Sequence, residues 1–167
     1  PARGPWRRLE GAIQRRAYRR SAGIAAACRD LRTYAIRQGV DERRLFVSHS
    51  AFDLARLDSL SASLEKFDRE PSTLLTVTRL TRQKRVDVLL RAVAIALRDV
   101  PDLNLVVVGD GPERAGLEKL AQQLQISRRV RFAGPLQPFS VELFSEYRRA
   151  TAFALTSVGE GLANVFI

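Results

Sequence analysis

Apolar residues alternate between two rhythms over 74–155. Short apolar runs, LLTVT (74–78), NLVVV (104–108), VRFA (130–133) and TAFAL (151–155), have the length and β-branched content of buried strands. Between the first two, Val86, Leu89, Leu90, Val93, Ala94 and Leu97 recur at helical spacing. A second helix turns Leu117, Leu120, Ala121 and Leu124 inward, with Pro112 at its start, where a missing N–H costs nothing. A third helix is expected over Val141–Arg149. Strands alternating with helices predict an α/β chain: a Rossmann-like, doubly wound parallel sheet covered on both faces.

The N-terminal stretch carries a smaller version of the pattern. Residues 5–20 read as a helix with Trp6, Leu9, Ile13 and Ala17 on one stripe and arginines over the remainder. An apolar run (22–28) of strand length follows. Next comes a helix with Leu31, Tyr34 and Ala35 inward and Gly39 as its C-terminal stop. Residues 45–47 read as another strand. This βαβ-type piece is too small to be a domain alone. Residues 48–72 are the least patterned, rich in Ser and Asp and closed by Pro71, and read as a crossing segment with a boundary near Val47.

Composition narrows the class. Apolar residues make up 46% of the 167, as in globular proteins. No apolar run approaches the ~18 residues needed to span a bilayer. Cys28 is the single cysteine, so no internal disulfide forms, and no Cys/His spacing suggests a metal. The net charge of +10 is concentrated: residues 1–47 hold 12 Arg against 4 Asp/Glu, a net +8, in pairs such as Arg15-Arg16 and Arg19-Arg20. A basic face of this kind suits a solvated helix, an anionic membrane surface or nucleic acid. Few aromatics are available for base stacking, which counts against nucleic acid. The start at Pro1, the absence of Met and an ending in mid-pattern are those expected of a piece of a longer protein.

In a doubly wound sheet, ligands bind beyond the C-terminal ends of the strands. Three loops lie at that edge. The first carries Arg79 and Lys84, two cations spaced R-x4-K opposite a helix N-terminus, a combination suited to a diphosphate. The second is Gly109-Asp110-Gly111-Pro112. Its glycines allow a tight strand-to-helix turn or, alternatively, close backbone approach to a nucleotide. The third is Gly159-Glu160-Gly161, where a carboxylate can accept hydrogen bonds from sugar hydroxyls or can simply open the next helix. His49, the single histidine, falls on the crossing segment and reads as structural or exposed.

The ordered set TRLTRQKRVD, VVVGDGPER, VRFAG and EGLANVFI resembles the group 1 family of retaining GT-B glycosyltransferases across 74–167. Residues 22–58 match more loosely, with VSHSAFD and Asp53 at the interdomain crossover. The resemblance implies a partial GT-B architecture. Residues 1–47 would end an acceptor-side domain, 48–73 would cross over, and 74–167 would form a truncated donor-binding domain. It implies that Arg79 and Lys84 hold the donor diphosphate, and that Glu160 contacts the donor sugar. Gly161 and Leu162 would offer backbone N–H groups to the phosphates. Phe132 to Gly134 would line the base pocket. A second glutamate of the family motif would follow Ile167. Thr78 and Arg85 stand where the family commonly has glycine.

The function so implied is transfer of a sugar from a nucleotide-diphosphate donor to an acceptor hydroxyl with retention of configuration. These 167 residues alone are expected to be inactive. No metal is expected, since Arg79 and Lys84 supply the neutralising charge. The acceptor would be a lipid-linked or polysaccharide glycan of the cell envelope, and the enzyme cytoplasmic, with peripheral contact at the inner membrane face. A nucleotide-sugar epimerase of the same fold is the alternative, and a basic nucleic-acid-binding module a more distant one.

Overall fold

The computed structural model describes residues 5–48, 54–62 and 70–158, which fall into two compact units, 5–48 and 54–158. In the smaller unit, helix α1 (Pro5–Arg20) precedes strand β1 (Ile24–Ala26), helix α2 (Arg29–Arg37) and strand β2 (Leu45–Val47). The two strands pair in parallel, Ala25 opposite Phe46. Gly39, at φ +86°, ends α2 as the spacing predicts. Its N–H bonds the Ile36 carbonyl at 2.8 Å, and the Val40 N–H reaches the Ala35 carbonyl at 3.2 Å. That pair of bonds is a Schellman cap, and it lays Val40 on Ala35 and Leu45 in the small core.

Two orientation expectations fail here. Leu31 and Tyr34 of α2 are exposed, and only Ala35 of the three turns inward. On α1 the described half of the expected stripe does not turn inward: Ile13 is 61% exposed and Ala17 is exposed, while Tyr18 packs on the core. The helix is amphipathic, but periodicity does not say which face the fold uses.

In the larger unit, α3 (Leu54–Ala62) is followed by strand β3 (Thr73–Val77), helix α4 (Val86–Ala96), strand β4 (Asn104–Val108) and helix α5 (Arg114–Gln123). Strand β5 (Val130–Gly134), helix α6 (Val141–Arg149) and strand β6 (Ala152–Phe153) complete it. Helix α3 falls in the stretch read as unpatterned. Its three leucines, Leu54, Leu57 and Leu60, are diluted by Ser and Asp, which weakens the helical signal.

The sheet order is β5-β4-β3-β6, and every pair is parallel. Leu105 and Val107 point into one core cluster with Leu89, Leu90 and Val93 of α4 and Leu117 of α5. Val106 and Val108 point into the other, against Leu143 and Tyr147 of α6. Strict alternation with both faces apolar is the signature of a sheet covered on both sides, so the doubly wound expectation is borne out. Tyr147 is stacked on Phe153 at 5.7 Å between centroids, and burial pushes its hydroxyl pKa up to about 12.

Candidate functional site

At the C-terminal edge of the larger sheet, four loops are laced together by backbone hydrogen bonds. Leu80, in the middle of the R-x4-K loop, is fully buried in the core beneath α4 and α5. Its N–H donates to the Asp110 carbonyl at 2.9 Å, and its carbonyl accepts from the Glu113 N–H at 3.1 Å. The loop after β3 is thereby stitched to the loop after β4. Gly109 N–H in turn donates to the Gly134 carbonyl at 2.8 Å, just past an irregularity in the β4–β5 register.

The glycines of GDGP are explained by this stitching. A Cβ on Gly109 would lie 1.9 Å from the Thr78 carbonyl oxygen, and one on Gly111 2.4 Å from that of Leu80. Both are excluded by the protein's own backbone. Asp110 turns its carboxylate back to accept from the Gly111 N–H at 2.7 Å. Pro112 stands in the turn just ahead of α5.

Arg79 is exposed and Lys84 is partly buried, five residues apart on the loop between β3 and α4. A short 3₁₀ turn, Arg82–Lys84, orders the second half of that loop, with the Lys84 N–H bonded to the Thr81 carbonyl at 3.0 Å. Arg85 follows in the left-handed region, at φ 49° and ψ 39°. That conformation supplies the reason glycine suits this position.

The N-terminus of α4 is already occupied by a carboxylate. Asp87 takes two hydrogen bonds from the Arg85 guanidinium, at 2.9 and 3.0 Å. These bonds hold its pKa below the ordinary carboxylate value, and the backbone amides of Val88 and Asp87 lower it further. The pH dependence follows from the sign of that shift. Asp87's contribution is present above its ordinary pKa of ~3.9 and is lost as pH falls through the depressed folded value. We expect Asp87→Asn to lower the urea midpoint at pH 7 by a small amount, both partners being about two-fifths exposed. The gap from wild type should narrow as pH falls below the ordinary carboxylate pKa of ~3.9; a gap that stays constant down to pH 2 would rule out the ion pair as its source.

The loop after β6 docks on the same turn. Thr156 Oγ1 lies 3.1 Å from the Lys84 carbonyl oxygen and 2.8 Å from that of Arg85, and the Val158 N–H donates to the Gln83 carbonyl at 3.0 Å. Of the residues singled out from sequence, the fold thus gathers Arg79, Lys84, Gly111 and Gly134 onto one edge. Phe132 packs against the core cluster beneath α4 and α5. Glu160, Gly161, Leu162, His49 and Asp53 lie outside the described residues. Sequence reading missed Leu80, Asp87 and Thr156. An apolar residue inside a polar loop flags the first, and an acid in the first turn of a helix flags the second; Thr156 has no local signal. Among the described residues no group of three or more His, Cys, Asp or Glu is placed to hold a metal ion.

A parallel α/β sheet covered on both faces, with laced loops at its C-terminal edge, defines a Rossmann-like class of fold. The family model for glycosyl transferases group 1 matches residues 62–167, and the chain belongs to that family. Alpha-monoglucosyldiacylglycerol synthase of Streptococcus pneumoniae is 35% identical over 88 residues, 53% of this chain and 20% of that protein. D-inositol 3-phosphate glycosyltransferase of Corynebacterium urealyticum is 40% identical over 96 residues, 53% of this chain and 22% of that protein. Those matches cover about a fifth of each relative's length. Among solved structures, Anabaena Alr3699/HepE in complex with UDP-glucose superposes with a TM-score of 0.71, over 97% of this chain and 46% of that one, at 18% identity. Staphylococcus aureus TarM gives a TM-score of 0.72 over 93% and 29%, at 13% identity. The fold is that of GT-B glycosyltransferases, as expected from the sequence. The epimerase and nucleic-acid alternatives are not favoured by these matches.

Proposed function

We propose that the protein is a glycosyltransferase that moves a sugar from a nucleotide-diphosphate donor to an acceptor hydroxyl with retention of anomeric configuration. The observation that carries this reading is the docking of segment 156–158 on the R-x4-K turn, which joins the loop bearing Lys84 to the segment that leads to Glu160. Arg79 and Lys84 hold the donor diphosphate and balance its charge as the sugar departs. Glu160 takes the donor sugar's hydroxyls, and the N–H groups of Gly161 and Leu162 meet the phosphates. Gly111, Phe132 and Gly134 lie toward the base. In this reading 1–47 end the acceptor-side domain, 48–73 cross over, and 74–167 belong to the donor domain. The bound UDP-glucose of HepE supports a nucleotide-sugar donor.

The deciding experiment gives the full-length protein UDP-glucose and candidate acceptors and reads the product's anomeric proton by NMR. Product with the donor's own α configuration supports retention, and a β product overturns it. An altered sugar nucleotide formed without acceptor would point to an epimerase instead.

The outward face of α1 supports a second element of the reading, peripheral contact with an anionic membrane on the cytoplasmic side. Ile13 and Ala17 are exposed beside Arg15, Arg16, Arg19 and Arg20, the composition of a helix that lies in a lipid interface. No helix among the described residues is long and apolar enough to cross a membrane. Replacing the four arginines with glutamine should abolish co-flotation with vesicles containing phosphatidylglycerol. Unaffected flotation would end this element of the proposal.

A further inference from the structure

We infer that Thr156 is the positioning residue for Lys84, an inference that rests on the donor-site reading above. Three successive carbonyls of the turn, those of Gln83, Lys84 and Arg85, all accept hydrogen bonds from segment 156–158. Two of the three belong to a single hydroxyl. Thr156 Oγ1 has one hydrogen, so its approaches to Lys84 O at 3.1 Å and Arg85 O at 2.8 Å make a three-centre bond spanning the peptide that follows Lys84.

On the other side of the same residue, the Lys84 N–H is held by the Thr81 carbonyl. Arg85, in the left-handed region, makes paired side-chain bonds to Asp87. The backbone at Lys84 is therefore bonded before it, after it and beyond it. A lysine carries a point charge on a flexible four-carbon stem, so the turn can fix only the origin of that stem. Fixing the origin limits where the ammonium can be placed and lowers the ordering cost when a diphosphate arrives. The tie comes from a residue 72 positions away in sequence, on the loop that runs toward Glu160. One hydroxyl thus couples the two halves of the proposed donor site.

The neighbouring residue provides a control. Ser157 Oγ is buried and has no hydrogen-bond partner among the described residues, so deleting it removes a hydroxyl from the same segment without touching the tie. Its loss should leave ligand binding unchanged and stability unchanged or slightly higher.

The test is calorimetric titration of the full-length protein with UDP, with GDP and ADP in parallel, and thermal melting of every variant. Thr156→Val, which keeps the shape and removes the hydroxyl, should weaken binding of the preferred nucleotide about fivefold, the value of one hydrogen bond. Thr156→Ser should restore it to within about twofold, and Ser157→Ala should match wild type. Lys84→Ala should weaken binding more, and Lys84→Ala/Thr156→Val should bind no worse than Lys84→Ala alone, because the tie acts only through that lysine. Multiplicative losses in the double variant, or a Thr156→Val protein that binds as wild type, overturn the positioning role and leave the donor site standing. If wild type binds none of the three nucleotides, or Lys84→Ala binds as wild type, the donor-site reading itself fails, and Thr156 loses its role with it.

Discussion

Lys84→Ala in the full-length protein is expected to lower kcat/KM for the nucleotide-sugar donor about a hundredfold. A pair of unit charges at 4 Å is worth about 4 kcal/mol at an effective dielectric of ~20, and partial desolvation leaves roughly half as ground-state binding. The leaving diphosphate gains charge as the glycosidic bond breaks, so the ammonium contributes more in the transition state than in the ground state. A loss of roughly 3 kcal/mol corresponds to the hundredfold fall. Arg79 is the more exposed of the two cations, so its removal should have the smaller effect. Lys84→Arg keeps the charge but changes its shape and reach, and should fall between wild type and alanine. Steady-state kinetics on the three variants decide the matter, and an alanine variant with wild-type kcat/KM removes Lys84 from the chemistry.

Gly109→Ala is expected to destabilise the larger unit by about 3–5 kcal/mol. At φ +130° the residue sits where a side chain is strained, and the added Cβ would lie 1.9 Å from Thr78 O and 2.9 Å from Thr78 C. Both are backbone atoms, so no rotamer change relieves the clash. The Thr78 N–H is itself bonded to the Val108 carbonyl at 2.9 Å, so moving Thr78 aside disrupts the end of the β3–β4 ladder. Gly116→Ala is the opposite case. That glycine lies within α5 with nothing within 4 Å of the added carbon, and alanine there should stabilise by about 0.5–1 kcal/mol. Urea midpoints at constant m-value compare the two. Similar midpoints for both variants would mean that the close approach at Gly109 relaxes freely.

Gly109 and Gly111 also show how local and non-local information divide. Both stand in plain view in the sequence, and GDGP was legible as a tight strand-to-helix turn. What makes them obligatory is the neighbouring loop, whose Thr78 and Leu80 carbonyls pass within van der Waals distance. The candidate site divides in the same way. Arg79 and Lys84 were legible because two cations follow a buried strand. The occupation of the α4 N-terminus by Asp87 was not, because it depends on Arg85 adopting a left-handed conformation that puts its guanidinium on that carboxylate.

By itself, the sequence determined the elements and the class. Periods of 2 and 3.6 are properties of consecutive residues, so strands β3–β5, helices α4 and α6 and the Schellman stop at Gly39 could be read from neighbours in the chain. The family followed from motifs that are equally local. Tertiary structure alone decided that Ile13 and Ala17 of α1 turn to solvent, that Leu80 roots the loop after β3 in the core, and that Thr156 meets Lys84. An amphipathic helix has a defined stripe, but which side is covered depends on partners elsewhere in the fold. A threonine carries no local mark of a hydrogen bond to a carbonyl 72 residues away. Such contacts arise only when the parallel sheet brings the ends of β3 and β6 side by side, and it is at those strand ends that the proposed chemistry lies.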